Sequence, residues 1–435
     1  MSALLEEIRV EGRGVRTGPK GLPRLLAAPP SAGPWATLAE HRCELGPTPP
    51  VGRGPREGLI RAVEMSGLRG RGGAGFPTGT KLRSVTRGRR PVVVVNGSES
   101  EPASGKDRFL LSTRPHLVLD GALTAAAAVG AERVAICIHS GAEGALTAVA
   151  RALGEREALE PPSVDVTIHR VPDRYVTGEA RSLVHFLNGG PAVPTAAPPR
   201  PFQRGVRGRP TLVQNVETLA HLALINAYGP GWFRELGTEK EPGSRLVTVS
   251  GAVERPGVYE IGVGTPIERL MRAAGGTQER ASAALVGGYF GSWLDARAAL
   301  VTRMSDQDLR PLGAGFGSGV VCFLPRETCG LVETSRVVSW LASQTAGQCG
   351  PCVYGLAAIS RGVRELAVGG GGPAADNLER WADQVEGRGA CRFPDGAVRL
   401  LRSALFVFAD EIALHRRGSC SASDSRPVLP IPERP

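Results

Sequence analysis

Aromatic side chains are scarce in this 435-residue chain: Phe, Trp and Tyr together make up 5% of it. The net charge is +10, with arginines bunched at 53–90 and again at 200–209. No aromatics are interleaved with those basic stretches, so base-stacking platforms for nucleic acid are not evident. A solvated Arg-rich face, or attraction for anionic nucleotides and an acidic partner, accounts better for the charge. Long hydrophobic runs are also lacking. Leu117 to Val129 is an Ala-rich helix too short to cross a bilayer, and the first residues have no secretory hydrophobic core. Eight cysteines over such a length are too few for a disulfide framework, and the clustered ones need reducing conditions to act as ligands. At 42% hydrophobic the chain can bury two or three cores. A multidomain soluble protein of the cytoplasm is expected, with no direct membrane insertion. His139, His169, His185, His221 and His415 are isolated and read as structural or surface groups.

The informative stretch runs from Gly67 to Arg108. Gly70, Gly72 and Gly75 stand at GxGxxG spacing, flanked by Arg69, Arg71 and Lys81, so bare backbone N–H groups and cations can converge on a phosphate. The usual dinucleotide fingerprint follows a strand. Here a helix comes first, with Leu59, Ile60, Val63 and Leu68 on one face, so a standard Rossmann fingerprint is not indicated. A flexible surface loop is the alternative. Val92 to Val95 then reads as a buried parallel strand that delivers Asn96, Ser98, Glu99 and Glu101 to its carboxyl end, where open α/β sheets bind ligands. Carboxylates repel phosphate, so Glu99 and Glu101 should face a sugar or ring; the competing reading is a loop that caps the helix starting near Pro115.

Periodicity organises the rest. A helix Pro115–Val129, a strand Arg133–His139, a helix Ala142–Leu153 and a strand Val164–Val171 alternate as in a parallel α/β sheet. Thr177–Leu187 reads as a helix capped by Thr177, Gly189–Pro210 as a proline-rich arm and Val216–Tyr228 as a closing helix. A hairpin of Arg245–Ser250 and Gly257–Ile261, a helix Pro266–Ala274 and strands near 284–286 and 320–324 make a small α+β module. The remainder, from a helix Thr328–Ser343 onward, is helical.

The motifs resemble the NADH-binding flavoprotein subunit of respiratory complex I and its relatives in NAD-linked formate dehydrogenases and hydrogenases. That family's GRGGAGFPTGxKW loop is matched by Gly70 to Gly79 and Lys81. Its N-A-D-E-x-E-P-G turn and K-D-R are matched by Asn96, Glu99, Glu101, Pro102, Lys106, Asp107 and Arg108. Tyr175 to Leu183, Pro201-Phe202 and Gln214 to Leu219 are similar to further cofactor segments, SGAVERPGVYEI to the first hairpin of its ubiquitin-like domain, and GQCGPC with Cys391 to its iron-sulfur segment. The resemblance implies a Rossmann-like parallel-sheet domain over 51–235 after a variable arm at 1–50. A ubiquitin-like SLBB domain at 243–325, a helical iron-sulfur domain at 326–415 and a tail at 416–435 follow. It implies FMN held by Gly70, Arg71, Gly72, Gly73, Ala74, Gly75, Lys81, Asn96, Ser98, Glu99, Tyr175, Gly178, Glu179, Gln214, Asn215 and Thr218. NADH is implied at Phe76, Glu99, Glu101, Ala180 and Phe202. The expected activity is hydride transfer from NADH to FMN, with no side-chain catalyst required. The expected partner is a thioredoxin-like or ferredoxin-like iron-sulfur protein, in the cytoplasm or peripheral to the inner face of the membrane through a complex.

Four positions depart from the family. Ser98 replaces Asp, Ala180 the second Glu and Gln214 the first Asn, and Ala346 stands where the first cluster cysteine belongs. A 4Fe-4S cluster takes four soft anionic donors. Cys349, Cys352 and Cys391 leave open a cluster with one non-thiolate ligand, a 3Fe cluster or none. Cys329 reads as a buried helix thiol carried away from that site.

Overall fold

The structure is a computed structural model that describes residues 18, 20–26, 35–46, 56–369, 372–423 and 426–432. Most of the expected arm at 1–50, with the arginines at 53–55, therefore lies outside the described residues. Within the arm, Leu38–Leu45 is nonetheless a helix (α1). A Thr37/Glu40 capping box starts it, and His41 and Arg42 dock it on Asp120 at 2.7 and 3.0 Å.

Four strands form the first sheet: β1 Val92–Gly97, β2 Arg133–His139, β3 Asp165–Val171 and β4 Thr211–Asn215, in the order β3-β2-β1-β4. All pairs are parallel. The helices α2 Arg56–Ser66, α3 Thr78–Val85, α4 Lys106–Thr113, α5 Pro115–Val129, α6 Glu143–Leu159, α7 Ala180–Leu187 and α8 Val216–Arg234 surround it. Val93 and Val95 point to the face under α5, α6 and α8, whereas Val92 and Val94 point to the face under α7, which is why the valine run has no polar member. The chain grows outward from β1 to β3 and then returns to place β4 on the other side of β1. Strand order reverses between β1 and β4, and a crevice opens there at the carboxyl ends. β4 has no counterpart in the sequence pattern, which passes from the proline-rich arm to the helix at Val216.

The second sheet follows the order β6-β5-β9-β7-β8, from β5 Ser244–Gly251, β6 Gly257–Gly262, β7 Ala281–Val286, β8 Ser292–Asp295 and β9 Val320–Pro325. Short helices α9 Ile267–Ala273, α10 Ala296–Val301 and α11 Asp306–Leu309 accompany it. Its two faces belong to different cores. Val247, Val249, Ala284, Val286, Val321 and Phe323 pack under α9 and α10. The alternate residues Ala283, Leu285, Val320, Cys322 and Leu324 join the core of the C-terminal helices. Those helices are α12 Gly330–Ser343, α13 Leu356–Ala367, α14 Pro373–Asp376, α15 Leu378–Val385, α16 Phe393–Val407 and α17 Ala409–His415. The α+β module and the helical region therefore share one hydrophobic core. The final segment also belongs to it: Leu429 is buried, and Glu333 on α12 accepts bonds from the Val428 and Leu429 amides.

Candidate functional site

The glycine loop is pinched shut at its base. An antiparallel bridge joins Arg69 to Pro77, and the Gly70 amide donates to the Phe76 carbonyl at 2.9 Å. Gly73 and Gly75 hold φ of 101° and 61°, a backbone region that a Cβ disfavours. Gly72, Gly73 and Ala74 form an exposed crest. The loop meets the switch point directly: the Arg71 amide donates to Thr218 Oγ1 at 2.8 Å, and a Cβ on Gly72 would stand 3.2 Å from Asn215 Cβ. In register, Gln214 pairs with Val95 and Asn215 with Asn96. Lys81, on α3, donates to the Val213 carbonyl and to Gln214 Oε1, and burial lowers its pKa to about 8. Asn96 donates to the Gly178 carbonyl at 2.8 Å and accepts from the Ser98 amide and hydroxyl. Gly70 to Gly75, Lys81, Asn96, Ser98, Gly178, Gln214, Asn215 and Thr218 are thus brought together at one end of the sheet.

Other expected residues have different surroundings. Arg71 turns its guanidinium inward to the Pro242 carbonyl at 3.3 Å, away from the crest. Glu99 is the cap of α4: its carboxylate accepts from the Asp107 amide at 3.1 Å, the Arg108 amide at 3.0 Å and the Ser104 hydroxyl. The capping reading prevails for Glu99, on a helix that starts at Lys106 rather than near Pro115. Glu101 is buried and accepts from Tyr175 Oη at 3.0 Å and the Tyr289 amide at 2.8 Å. Tyr175 itself is boxed by Phe290, Trp340 and Phe393. Phe76 is exposed, and Phe202 packs against the main core. Thr177 caps nothing; Glu179 is the N-cap of α7, accepting from the Arg181 and Ser182 amides, because its longer side chain reaches two free donors from extended backbone. Ala180 opens that helix.

A buried charge network underlies the cradle. Lys106 Nζ lies 2.8 Å from Asp107 and 2.9 Å from Glu217, Asp107 accepts from Asn215 Nδ2 at 2.6 Å, and Glu217 accepts from the Leu246 amide at 2.9 Å. Removing any member leaves a buried charge without its partner.

The segment Arg174–Arg181 spans from the cradle to the cysteines. Arg174 donates to the Thr345 carbonyl at 2.8 Å, Gln344 and the Tyr175 amide share a bond of 3.2 Å, and Arg181 reaches the Ala390 carbonyl beside Cys391. Cys349, Cys352 and Cys391 are mutual neighbours, with Cys352 buried and its thiol pushed up to about 12 by burial. Cys329 is elsewhere, against His415. A cavity of about 260 Å³ opens at Val92, Arg133 and Asp165, the amino ends of the strands and so the end opposite the glycine loop.

Three family descriptions match the chain: the Nuo51 FMN-binding domain over residues 63–224, the SLBB domain over 246–288 and the NADH-ubiquinone oxidoreductase-F iron-sulfur binding region over 333–415. One of the two F subunits of NADH-quinone oxidoreductase in Rhizobium meliloti, numbered 2, is 31% identical over 371 residues, covering 82% of this chain and 88% of its own. The corresponding F subunit of Mycobacterium tuberculosis H37Rv is 31% identical over 390 residues, covering 86% and 87%. The chain belongs to the family of NADH-quinone oxidoreductase F subunits. An NAD+-reducing NiFe-hydrogenase in the H2-reduced state has a similar structure, with a TM-score of 0.77 and 29% identity over 83% of this chain, which spans 63% of that hydrogenase chain.

As that membership requires, the cradle fits FMN. Gln214 Nε2 and Thr177 Oγ1 are buried and lack protein partners among the described residues, Gly73 has open space around it, and Lys81 is the adjacent cation. The iron-sulfur binding region is present, but its donor set is one thiolate short of the usual four. Ala346 packs into the helical core and offers no ligand atom.

Proposed function

We propose that this member of the family oxidises NADH at an FMN held in the β1/β4 crevice, as the electron-input component of a multi-subunit electron-transfer complex. The observation that carries this reading is the buried, unpartnered Gln214 amide beside Lys81 under an open glycine crest. Bound FMN supplies the hydride-accepting ring. The chain supplies position: the amides of the glycine loop and Lys81 hold the phosphate, Asn96, Gln214 and Asn215 orient the flavin, and Thr218 ties the loop to α8. Exposed Phe76 is placed to cover a nicotinamide nucleotide at the crest. Glu99, Glu101 and Glu179 act through structure, as helix cap, interdomain bridge and helix cap, so no proton transfer is assigned to them. A thioredoxin-like or ferredoxin-like iron-sulfur partner and peripheral attachment to a membrane complex belong to the same reading. Among the described residues no helix is long and apolar enough to cross a membrane.

Ala346 favours a second reading of the electron exit, in which FMN passes electrons to an acceptor other than a cluster in this chain. Iron and acid-labile sulfide in the purified protein distinguish the two. For the main reading, a visible spectrum should show flavin that bleaches on NADH addition, and Gly72→Val should lower flavin content about tenfold by driving a side chain onto Asn215. Colourless wild-type protein, or unchanged flavin in the variant, would refute it.

A further inference from the structure

We propose that Cys329, Glu411, His415 and Cys420 form a structural site for a borderline-soft divalent ion of the zinc class, separate from the redox cysteines. Their four donor atoms lie within 4.8 Å of one another. Cys329 Sγ stands 3.5 Å from His415 Nε2, and His415 Nε2 stands 3.1 Å from Glu411 Oε1. Zinc at its usual ligand distances in a tetrahedron separates sulfur, nitrogen and oxygen donors by roughly 3.4–3.8 Å. The observed spacings bracket that range, so small side-chain rotations complete the shell.

The outer contacts orient these groups toward a common centre. His415 Nδ1 bonds the Leu366 carbonyl at 3.1 Å; a carbonyl only accepts, so Nδ1 carries the hydrogen and Nε2 presents its lone pair to Cys329. The Ser421 amide donates to Glu411 Oε1 at 3.0 Å and fixes that carboxylate. Glu411 and His415 are one turn apart on α17 and share a face, Cys329 is the N-cap residue of α12, and Cys420 arrives from the following segment. Cys329 and His415 are buried while Cys420 is exposed, which leaves an entry path. Two thiolates and an imidazole select zinc over magnesium or calcium. The Cys329 thiol senses Cys420 and Glu411, whereas the Cys352 thiol senses Cys349 and Cys391, so the two cysteine groups are distinct. An ion here ties the start of α12, α17 and the closing segment together, at the opposite end of α12 from the Gln344–Thr345 contacts.

The test is elemental analysis of the full-length protein, expressed with zinc, purified under reductant and desalted. About one zinc per chain is expected, falling about tenfold or more in Cys420→Ser and in Cys329→Ser and persisting in Cys352→Ser. Cys420 is exposed, so its serine variant retains the fold and keeps the comparison meaningful. A strong chelator should lower the melting temperature of the wild type and not of Cys420→Ser. Three results overturn the proposal: wild-type zinc no higher than in Cys420→Ser, zinc lost in Cys352→Ser instead, or a Cys329–Cys420 disulfide with no metal after purification without reductant.

Discussion

Replacing Glu101 with glutamine should stabilise the protein above neutral pH and leave its stability near pH 5 almost unchanged. Glu101 is 6% exposed, and burial pushes its pKa up to about 7 from an ordinary 4.5 despite the donors around it. A raised carboxyl pKa means that between those values the folded chain keeps a proton the unfolded chain has released. Stability therefore falls as pH rises through that window, by about 1.4 kcal/mol per unit, to a total of about 3 kcal/mol above pH 7. Glutamine copies the protonated form. Tyr175 Oη and the Tyr289 amide both donate to the same oxygen, Oε2, so the amide oxygen can take that place and keep both bonds. Only the 3.4 Å contact of the Ala103 amide with Oε1 is lost. Denaturant unfolding of wild type and Glu101→Gln at several pH values between 5 and 8 provides the assay, because the difference between the two profiles cancels every other titrating group. A stability difference that widens from near zero to about 3 kcal/mol supports the argument. Parallel profiles would show that Glu101 does not carry the buried proton.

A Cβ at Gly121 would lie 1.9 Å from the Leu219 carbonyl where α5 and α8 touch, so Gly121→Ala should cost about 1–3 kcal/mol or more, read from the melting temperature; an unchanged value would show that the helices separate freely. Lys81 loses its proton near pH 8 in the flavin-free chain, so flavin affinity should weaken by up to about tenfold per pH unit above that value, and Lys81→Ala should remove the slope in a fluorescence titration. Restoring the missing donor with Ala346→Cys should raise iron and acid-labile sulfide in the purified protein; no increase would mean that the Cys349 loop does not hold a cluster.

Residue pattern alone was enough for the strands at Val92, Arg133 and Val320 and for the helix Pro115–Val129, because a buried valine run or a long apolar helix can satisfy its surroundings in one way only. The loop Gly70–Gly75 and Lys81 were legible for a related reason: glycines at positive φ and a cation beside them are local chemistry. β4 was not legible. TLVQN is five residues long, and it becomes a strand by pairing with β1 in a register that sets Gln214 beside Val95. The roles of Glu99, Glu101 and Glu179 were equally out of reach, since each depends on which free amide lies within range once the helices have docked. Cys329, Glu411, His415 and Cys420 looked like unrelated residues for the same reason. Sequence specifies the local propensities and the donor atoms by itself, but long-range packing alone decides which donors share a centre, because that depends on chain closures over distances that no local pattern records.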